Sequence, residues 1–221
     1  MGNRFRAVVV VLGLWALSTC PARATAVLTN GSFESPVLAA GAYVYPNGTS
    51  GGWTFTGNSG LLTATGCSPW YGSTPPSGYV GAQYAFLQIV GVISQAFTVP
   101  TSGYYNLTWL SAGRPNGVSS GGNETYNTQI AAPASLGGAT TVLGSFQTTS
   151  GSNFSTNSSL SMALYAGDTY TLSFVGTGAV DNSAFLDNVS MNYLYAVPEP
   201  GVFALLAGSL LLLFVPQRRA E

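Results

Sequence analysis

The sequence predicts an all-β protein, an antiparallel β-sandwich of jelly-roll type, held between two terminal segments that take no part in it. Two segments, Gly103 to Ser111 and Asp168 to Val175, alternate polar and apolar residues with the period of a half-buried strand and are rich in aromatic and β-branched types. Each follows a turn signal, Pro100-Thr101-Ser102-Gly103 or Ala166-Gly167-Asp168. No internal stretch of ordinary helix length carries an apolar face at helical period.

The remaining strands are expected, in chain order, at Val27 to Phe33, Trp53 to Thr56, Gly60 to Thr65, Tyr84 to Gln88, Ile93 to Val99, Tyr126 to Ile130, Thr141 to Thr148, Ser158 to Leu164 and Ala184 to Leu194. All are short and separated by Gly, Pro and Asn, which is the punctuation of a sandwich built from hairpins. Trp53 and Trp109 fall inside strand patterns and are expected in the core.

The two ends read differently. Residues 1–24 have the order of a secretory signal helix: Arg4 and Arg6, an apolar run from Ala7 to Leu17, then small residues at Ala22-Arg23-Ala24. Thr19 before Cys20 and Pro21 after it depart from a lipoprotein acceptor site. At the other end the fourteen residues Val202 to Val215 are apolar apart from Ser209, so a core helix with one polar face is not expected. As a helix the run would be ~21 Å long at ~1.5 Å per residue, short of the ~30 Å hydrocarbon core, so it reads as a marginal transmembrane helix. Arg218 and Arg219 follow it, and the positive-inside tendency keeps them and the N-terminal arginines cytoplasmic. The segment between, residues 25–196, is then expected outside the cytoplasm as one domain.

Val197-Pro198-Glu199-Pro200, the apolar run and the Arg218-Arg219 pair together resemble the PEP-CTERM sorting region of bacterial exported proteins, also described as an ice-binding-protein C-terminal domain. The resemblance implies recognition by an exosortase, a membrane cysteine transpeptidase that cleaves near Pro-Glu-Pro. It covers residues 197–221 only and implies nothing about activity, ice binding included.

The expected domain is poor in charge. Arg114 is its one cation, against Glu34, Glu124, Asp168, Asp181 and Asp187, and the whole chain has no lysine and no histidine. Nucleic acid is excluded as a partner, because phosphate binding needs clustered Lys or Arg. Gly- and Ser-rich composition admits disorder, but frequent Tyr, Phe, Val and Leu supply enough apolar surface for a core. With Cys20 lost alongside the signal, Cys67 stands alone and forms no internal disulfide.

Asn30-Gly31-Ser32-Phe33-Glu34, Gly52-Trp53, Ile93-Ser94-Gln95-Ala96-Phe97, Gly103-Tyr104-Tyr105 and Ala184-Phe185-Leu186-Asp187-Asn188-Val189 occur in the order seen in galactose-binding-like or carbohydrate-binding jelly rolls, which the chain resembles. In that family the opening and closing segments lie side by side and often share a structural calcium. The resemblance places Glu34 and Asp187 at those positions, with backbone carbonyls or water completing the hard-oxygen set. The other reading is that both carboxylates accept loop amides where the termini meet.

Catalysis finds little to use. Without His or Lys there is no Ser-His or Ser-Lys dyad and no imidazole zinc site, so no catalytic residue is expected. Sugar binding needs exposed rings beside amides and hydroxyls. Trp70 and Tyr71, in the Pro- and Gly-marked stretch Cys67 to Pro76, are the first candidates, and Tyr43 and Tyr45 the second. For Trp70, packing beneath its loop is slightly favoured over sugar stacking. Arg114 offers a planar fork for a polar ligand or uronate carboxylate, or a salt bridge to Glu124 or another acid that pins its loop. Seven Asn-x-Ser/Thr sequons, at Asn30, Asn47, Asn106, Asn123, Asn153, Asn157 and Asn188, are what a chain rich in these residues generates by chance.

These readings converge on a non-catalytic exported cell-surface or matrix protein that binds extracellular polysaccharide. Two alternatives stay open: a carboxylate-dependent glycan hydrolase or lyase, and a purely architectural coat protein. A cleft with two close carboxylates away from the termini would favour the first.

Overall fold

The computed structural model describes residues 27–115 and 122–197. The expected signal helix, the apolar run 202–215, and Pro198, Glu199, Pro200, Arg218 and Arg219 lie outside the described residues. Among the described residues no helix is long and apolar enough to cross a membrane.

The described chain is an antiparallel β-sandwich of two sheets. Its strands are β1 (Tyr43–Val44), β2 (Gly48–Ser50), β3 (Trp53–Thr56), β4 (Ser59–Thr63), β5 (Gln83–Gln88), β6 (Val92–Thr98), β7 (Gly103–Gly113), β8 (Thr125–Ala131), β9 (Thr140–Gln147), β10 (Ser155–Ser158), β11 (Met162–Leu164), β12 (Thr169–Gly176) and β13 (Ser183–Ala196). One sheet runs β1-β4-β5-β13-β7-β10, with β11 also on β7; the other runs β2-β3-β6-β12-β8-β9. Only single helical turns interrupt them, α1 (Ser68–Tyr71) and a 3-10 turn at Ala134–Leu136.

Alternation along the strands builds the core. The inward side chains Tyr105, Leu107 and Trp109 of β7 meet Tyr170, Leu172 and Phe174 of β12 between the sheets, with Trp53, Phe55 and Tyr126 also at 0 % exposure. Aromatic side chains of this size bury large areas, and a buried indole or phenol needs a partner for its polar atom. Trp109 supplies one by donating its Nε1–H to the Tyr126 hydroxyl at 2.9 Å.

Two expected strands come out otherwise. Val27 to Phe33 crosses the sandwich as irregular chain, because Asn30 and Phe33 sit at φ +50° and +57° and cannot continue a ladder. Gln95 stands in for the missing neighbour: its Oε1 accepts the Thr29 N–H at 2.9 Å and its Nε2 donates to the Thr29 and Gly52 carbonyls, each at 3.0 Å. Ser158 to Leu164 divides into β10 and β11 around an exposed Leu160.

The spine of the first sheet is β13 against β7. A bulge after Asp187, with Asn188 at φ +48°, changes which residues face inward: Ala184 and Leu186 before it, Val189 and Met191 after it. The registers also define two ends of the sandwich. The connections 57–58, 89–91 and 177–182 lie at the end where β13 begins, and 99–102, 132–139 and 165–168 at the end where it finishes.

Candidate functional site

The outer face of the first sheet carries a second apolar layer. Leu62 of β4, Tyr84 and Phe86 of β5, Ala112 of β7 and Phe185 of β13 are buried there because the 64–82 connection folds across them, inserting Cys67, Trp70 and Tyr71. The surface-loop expectation for Trp70 and Tyr71 is corrected on exposure: they retain 3 % and 4 %. Trp70 packs on Phe86 at 4.2 Å between ring centroids, and Tyr71 accepts the Cys67 N–H while donating to the Thr63 carbonyl. Cys67 is buried and free, and burial pushes its thiol up to about 11.

Around buried Trp70 the structure gathers the other aromatic candidates. Tyr43 and Tyr45, 47 % and 38 % exposed, form an edge-on pair at 6.3 Å, and their rings lie 5.6 and 6.4 Å from Trp70. Gly60 makes this approach possible, since a side chain there would strike the Val44 carbonyl and the Phe86 ring. Tyr45 leans edge-on against Phe86 at 4.9 Å, and its hydroxyl donates to Gln88 Oε1 at 2.8 Å. Gln88 Nε2 in turn donates to Asp181 Oδ1 at 2.5 Å. Burial and the Asp181 carboxylate together raise the Tyr45 phenol above its ordinary range.

Arg114 belongs to the same assembly but faces inward. Its guanidinium lies 4.6 Å from the Trp70 ring centroid and its Nη2 donates to the Pro69 carbonyl at 2.9 Å, while the residue is 5 % exposed. The expected salt bridge to Glu124 is replaced by this contact with a ring and a carbonyl, with the Asp181 charge as an electrostatic partner. Burial lowers its pKa, and Nε has no partner among the described residues. Arg114 therefore ties the 64–82 connection to its own segment through a ring and a carbonyl, not through the expected salt bridge.

Glu34 and Asp187 both grip the 80–83 segment. Glu34 Oε1 accepts the N–H groups of Ala82 and Gln83 at 3.0 and 3.2 Å. Asp187 Oδ2 accepts from Val80 at 2.6 Å and its Oδ1 from Asn188 at 2.7 Å. Gly81 between them has φ +84°, and any Cβ there would collide with the Glu34 carboxylate. Burial and, less strongly, the Glu34 charge push Asp187 up to about 7. The donor set suits calcium in kind, hard oxygens with free lone pairs, but it is short in number: among the described residues no third His, Cys, Asp or Glu joins the pair.

One further acidic pair is present. Glu124, 0 % exposed, accepts the Gly178 N–H at 3.2 Å, and burial with the nearby Asp181 charge pushes it up to about 7. The two best-formed depressions are lined by residues 27–32 with 188–191, and by Tyr71 to Pro76 with Pro115, Gly151 and Asn153. Neither is lined by Glu124 or Asp181.

Gln88 and Asp181 join the site without having been marked for it by residue type. A signal was present in β5: Gln83-Tyr84-Ala85-Phe86-Leu87-Gln88 is buried at every position, so both faces of that strand had to be covered.

With this geometry in view, the structural neighbours include carbohydrate-binding modules of jelly-roll fold and a cyclase. The module TmCBM61, solved in complex with β-1,4-galactotriose, superimposes with a TM-score of 0.51 at 14 % identity, over 77 % of this chain and 99 % of that one. A cyclase from Fischerella sp. TAU, in complex with 4-(1H-indol-3-yl)butan-2-one, gives 0.56 at 18 %, over 79 % and 100 %. The CBM22-1 xylan-binding domain of Paenibacillus barcinonensis Xyn10C gives 0.48 at 15 %, over 72 % and 99 %. At these identities the likeness is one of fold. No family model matches the sequence, and no curated protein does.

Proposed function

We propose that the domain is a non-catalytic, glycan-binding module of an exported protein, taking extracellular polysaccharide at the Tyr43–Tyr45 edge of its first sheet. The observation that carries this reading is the exposed tyrosine pair at 6.3 Å, braced from behind by Trp70 and Phe86 and continued by the Gln88 amide and the Asp181 carboxylate. Rings held rigidly offer a sugar their apolar faces with little ordering cost, and the half-buried Asp181 carboxylate, oriented by the buried Gln88 amide, offers a hydroxyl partner. Trp70, Tyr71 and Arg114 serve this site as its support rather than as contacts. The carbohydrate-binding neighbours agree with the reading at the level of fold.

The rest of the proposal concerns address and ions. Val197 to Pro200, the apolar run and Arg218-Arg219 act as a PEP-CTERM tail that holds the protein in the envelope until an exosortase processes it, leaving it at the cell surface or in the matrix. A structural calcium would be held by Glu34 and Asp187 with backbone carbonyls or water completing its oxygen set. The test is a glycan-array screen of the exported protein, with and without calcium, alongside Tyr43→Ala and Tyr45→Ala. Saturable binding that disappears in both variants, with their melting temperatures preserved, supports the site. A folded wild-type protein that binds no glycan favours the architectural coat instead, and hydrolysis of a bound glycan favours the enzyme.

A further inference from the structure

The end of the sandwich where β13 finishes is the end that leads into the C-terminal tail. Its loops 99–102, 132–139 and 165–168, with the last residues 193–197, contain a single charged side chain, Asp168. Asp168 Oδ1 accepts the Ser135 hydroxyl at 3.2 Å. Exposed apolar side chains collect here: Leu136 and Tyr165 on the loops, and Leu194 and Tyr195 on the strand, between 44 % and 55 % exposed. The register shift between Tyr193 and Tyr195 turns Leu194 and Tyr195 both outward, while Tyr193 packs inward. The Tyr195 ring rests on Tyr104 at 4.8 Å. At the opposite end Arg114 and Glu124 are buried, Asp181 is half-buried beside Gln88, and Val90 and Val180 are exposed. From Ser183 to Tyr195 the strand runs about 40 Å at ~3.3 Å per residue.

We infer that this tyrosine-bearing end, with no cation and Asp168 as its one charge, is a bilayer-facing surface, seated in the headgroup region, so that β13 stands the Tyr43–Tyr45 site outward from the membrane. The inference rests on reading residues 197–221 as a membrane-inserted sorting tail. Val197 ends the described chain, and the apolar run begins five residues later at Val202. Five residues reach at most ~18 Å when fully extended. An apolar segment of ~21 Å cannot cross a ~30 Å core unless the bilayer thins or the flanking chain is drawn in. On that reading a five-residue tether keeps the end of the domain within ~18 Å of the start of the apolar run. What arrives is suited to the place: tyrosine and leucine without lysine or arginine fit the neutral interface, where amphipathic rings concentrate. Release by an exosortase would free this surface, so the same residues are membrane-apposed before processing and exposed after it.

The test uses the full exported chain reconstituted in phosphatidylcholine vesicles that contain a headgroup-nitroxide lipid. Single cysteines at exposed Ala166 and Val180 mark the two ends, each carrying an environment-sensitive fluorophore; Cys67 is buried and does not compete. The expected result is strong quenching at position 166 and none at 180, and relief of quenching when Leu194→Ser and Tyr195→Ser are introduced without loss of co-flotation. A chain that floats with vesicles but is unquenched at 166 overturns the inference and leaves the tail reading standing. A chain that does not float overturns both. Equal quenching at the two ends, or burial of position 166 that appears at high protein concentration without lipid and so reports a second copy, also overturns it.

Discussion

The Arg114 guanidinium lies 4.6 Å from the centre of the Trp70 ring, and each residue is what keeps the other buried. The cation is tolerated at 5 % exposure because a π face, the Pro69 carbonyl and the Asp181 field replace water. The indole, in turn, is fixed between that cation and Phe86. Arg114→Ala is expected to lose a desolvated cation–π contact, ~2 kcal/mol, along with the anchor of the 64–82 connection. Trp70→Ala should cost more, ~3–5 kcal/mol, because it empties the layer above Phe86 and Phe185. Urea unfolding measures both. Arg114→Lys should cost less than Arg114→Ala, since an ammonium keeps the charge but loses the planar stack. Near-zero effects for all three would remove the clamp.

Tyr45 separates binding from folding. Its hydroxyl is one step of a chain to Gln88 and Asp181, and its ring is more than one-third exposed. Tyr45→Phe removes one hydroxyl bond and is expected to change stability by only ~1 kcal/mol. It should weaken glycan affinity if Gln88 must orient Asp181 for a sugar hydroxyl, whereas Tyr43→Ala should weaken affinity through lost ring area alone. Calorimetric titration with a glycan identified by the array checks both, and unchanged affinity in Tyr45→Phe would confine recognition to the rings.

Which parts of this arrangement could be read before folding follows from how local each cause is. The strands around Trp53, Trp109 and Phe174 were legible because a period-two pattern is written in neighbouring residues. β1 and β2, two and three residues long, have no room to show a period. Pro69, Gly72 and Pro75 marked a loop correctly, yet the fate of Trp70 depended on Phe86 and Phe185, far away in sequence, being apolar on the outer side of the sheet. Asn30 and Gln95 show the reverse case: an opening segment with strand composition is held irregular by one remote side-chain amide. Tyr43, Tyr45, Trp70 and Arg114 were each found by residue type, and their convergence was a property of the topology.

Glu124 makes stability depend on pH in a direction set by its environment. Burial pushes its carboxyl from the ordinary value near 4.5 up to about 7, so folding takes up a proton between those limits. The group's contribution is therefore fully present below about 4.5 and is lost as pH rises through 7. The size expected is on the order of 3 kcal/mol, because each tenfold gain in proton affinity on folding is worth ~1.4 kcal/mol. Glu124→Gln keeps an acceptor for the Gly178 N–H and removes the titration. Its unfolding free energy should fall less than that of the wild type between pH 5 and pH 8. Parallel pH profiles would show that Glu124 is ionised in the fold and solvated by a route that burial alone does not provide.

Gly81 and calcium test one site from two sides. Gly81 combines φ +84° with the Glu34 carboxylate where a Cβ would stand, so Gly81→Ala should destabilise by more than the ~1 kcal/mol of a left-handed alanine alone. It should do so with or without the ion, because the collision is with a side chain the fold already uses to hold Ala82 and Gln83. Calcium is expected to raise the melting temperature of the wild type, with EDTA reversing the rise, through its preference for the folded arrangement of Glu34 and Asp187. Asp187→Asn should abolish that response while leaving an acceptor for the Val80 N–H. If calcium leaves wild-type melting unchanged, the two carboxylates are amide acceptors only. The penalty at Gly81 would then still stand, since it arises from the loop's grip on Glu34 and from backbone geometry.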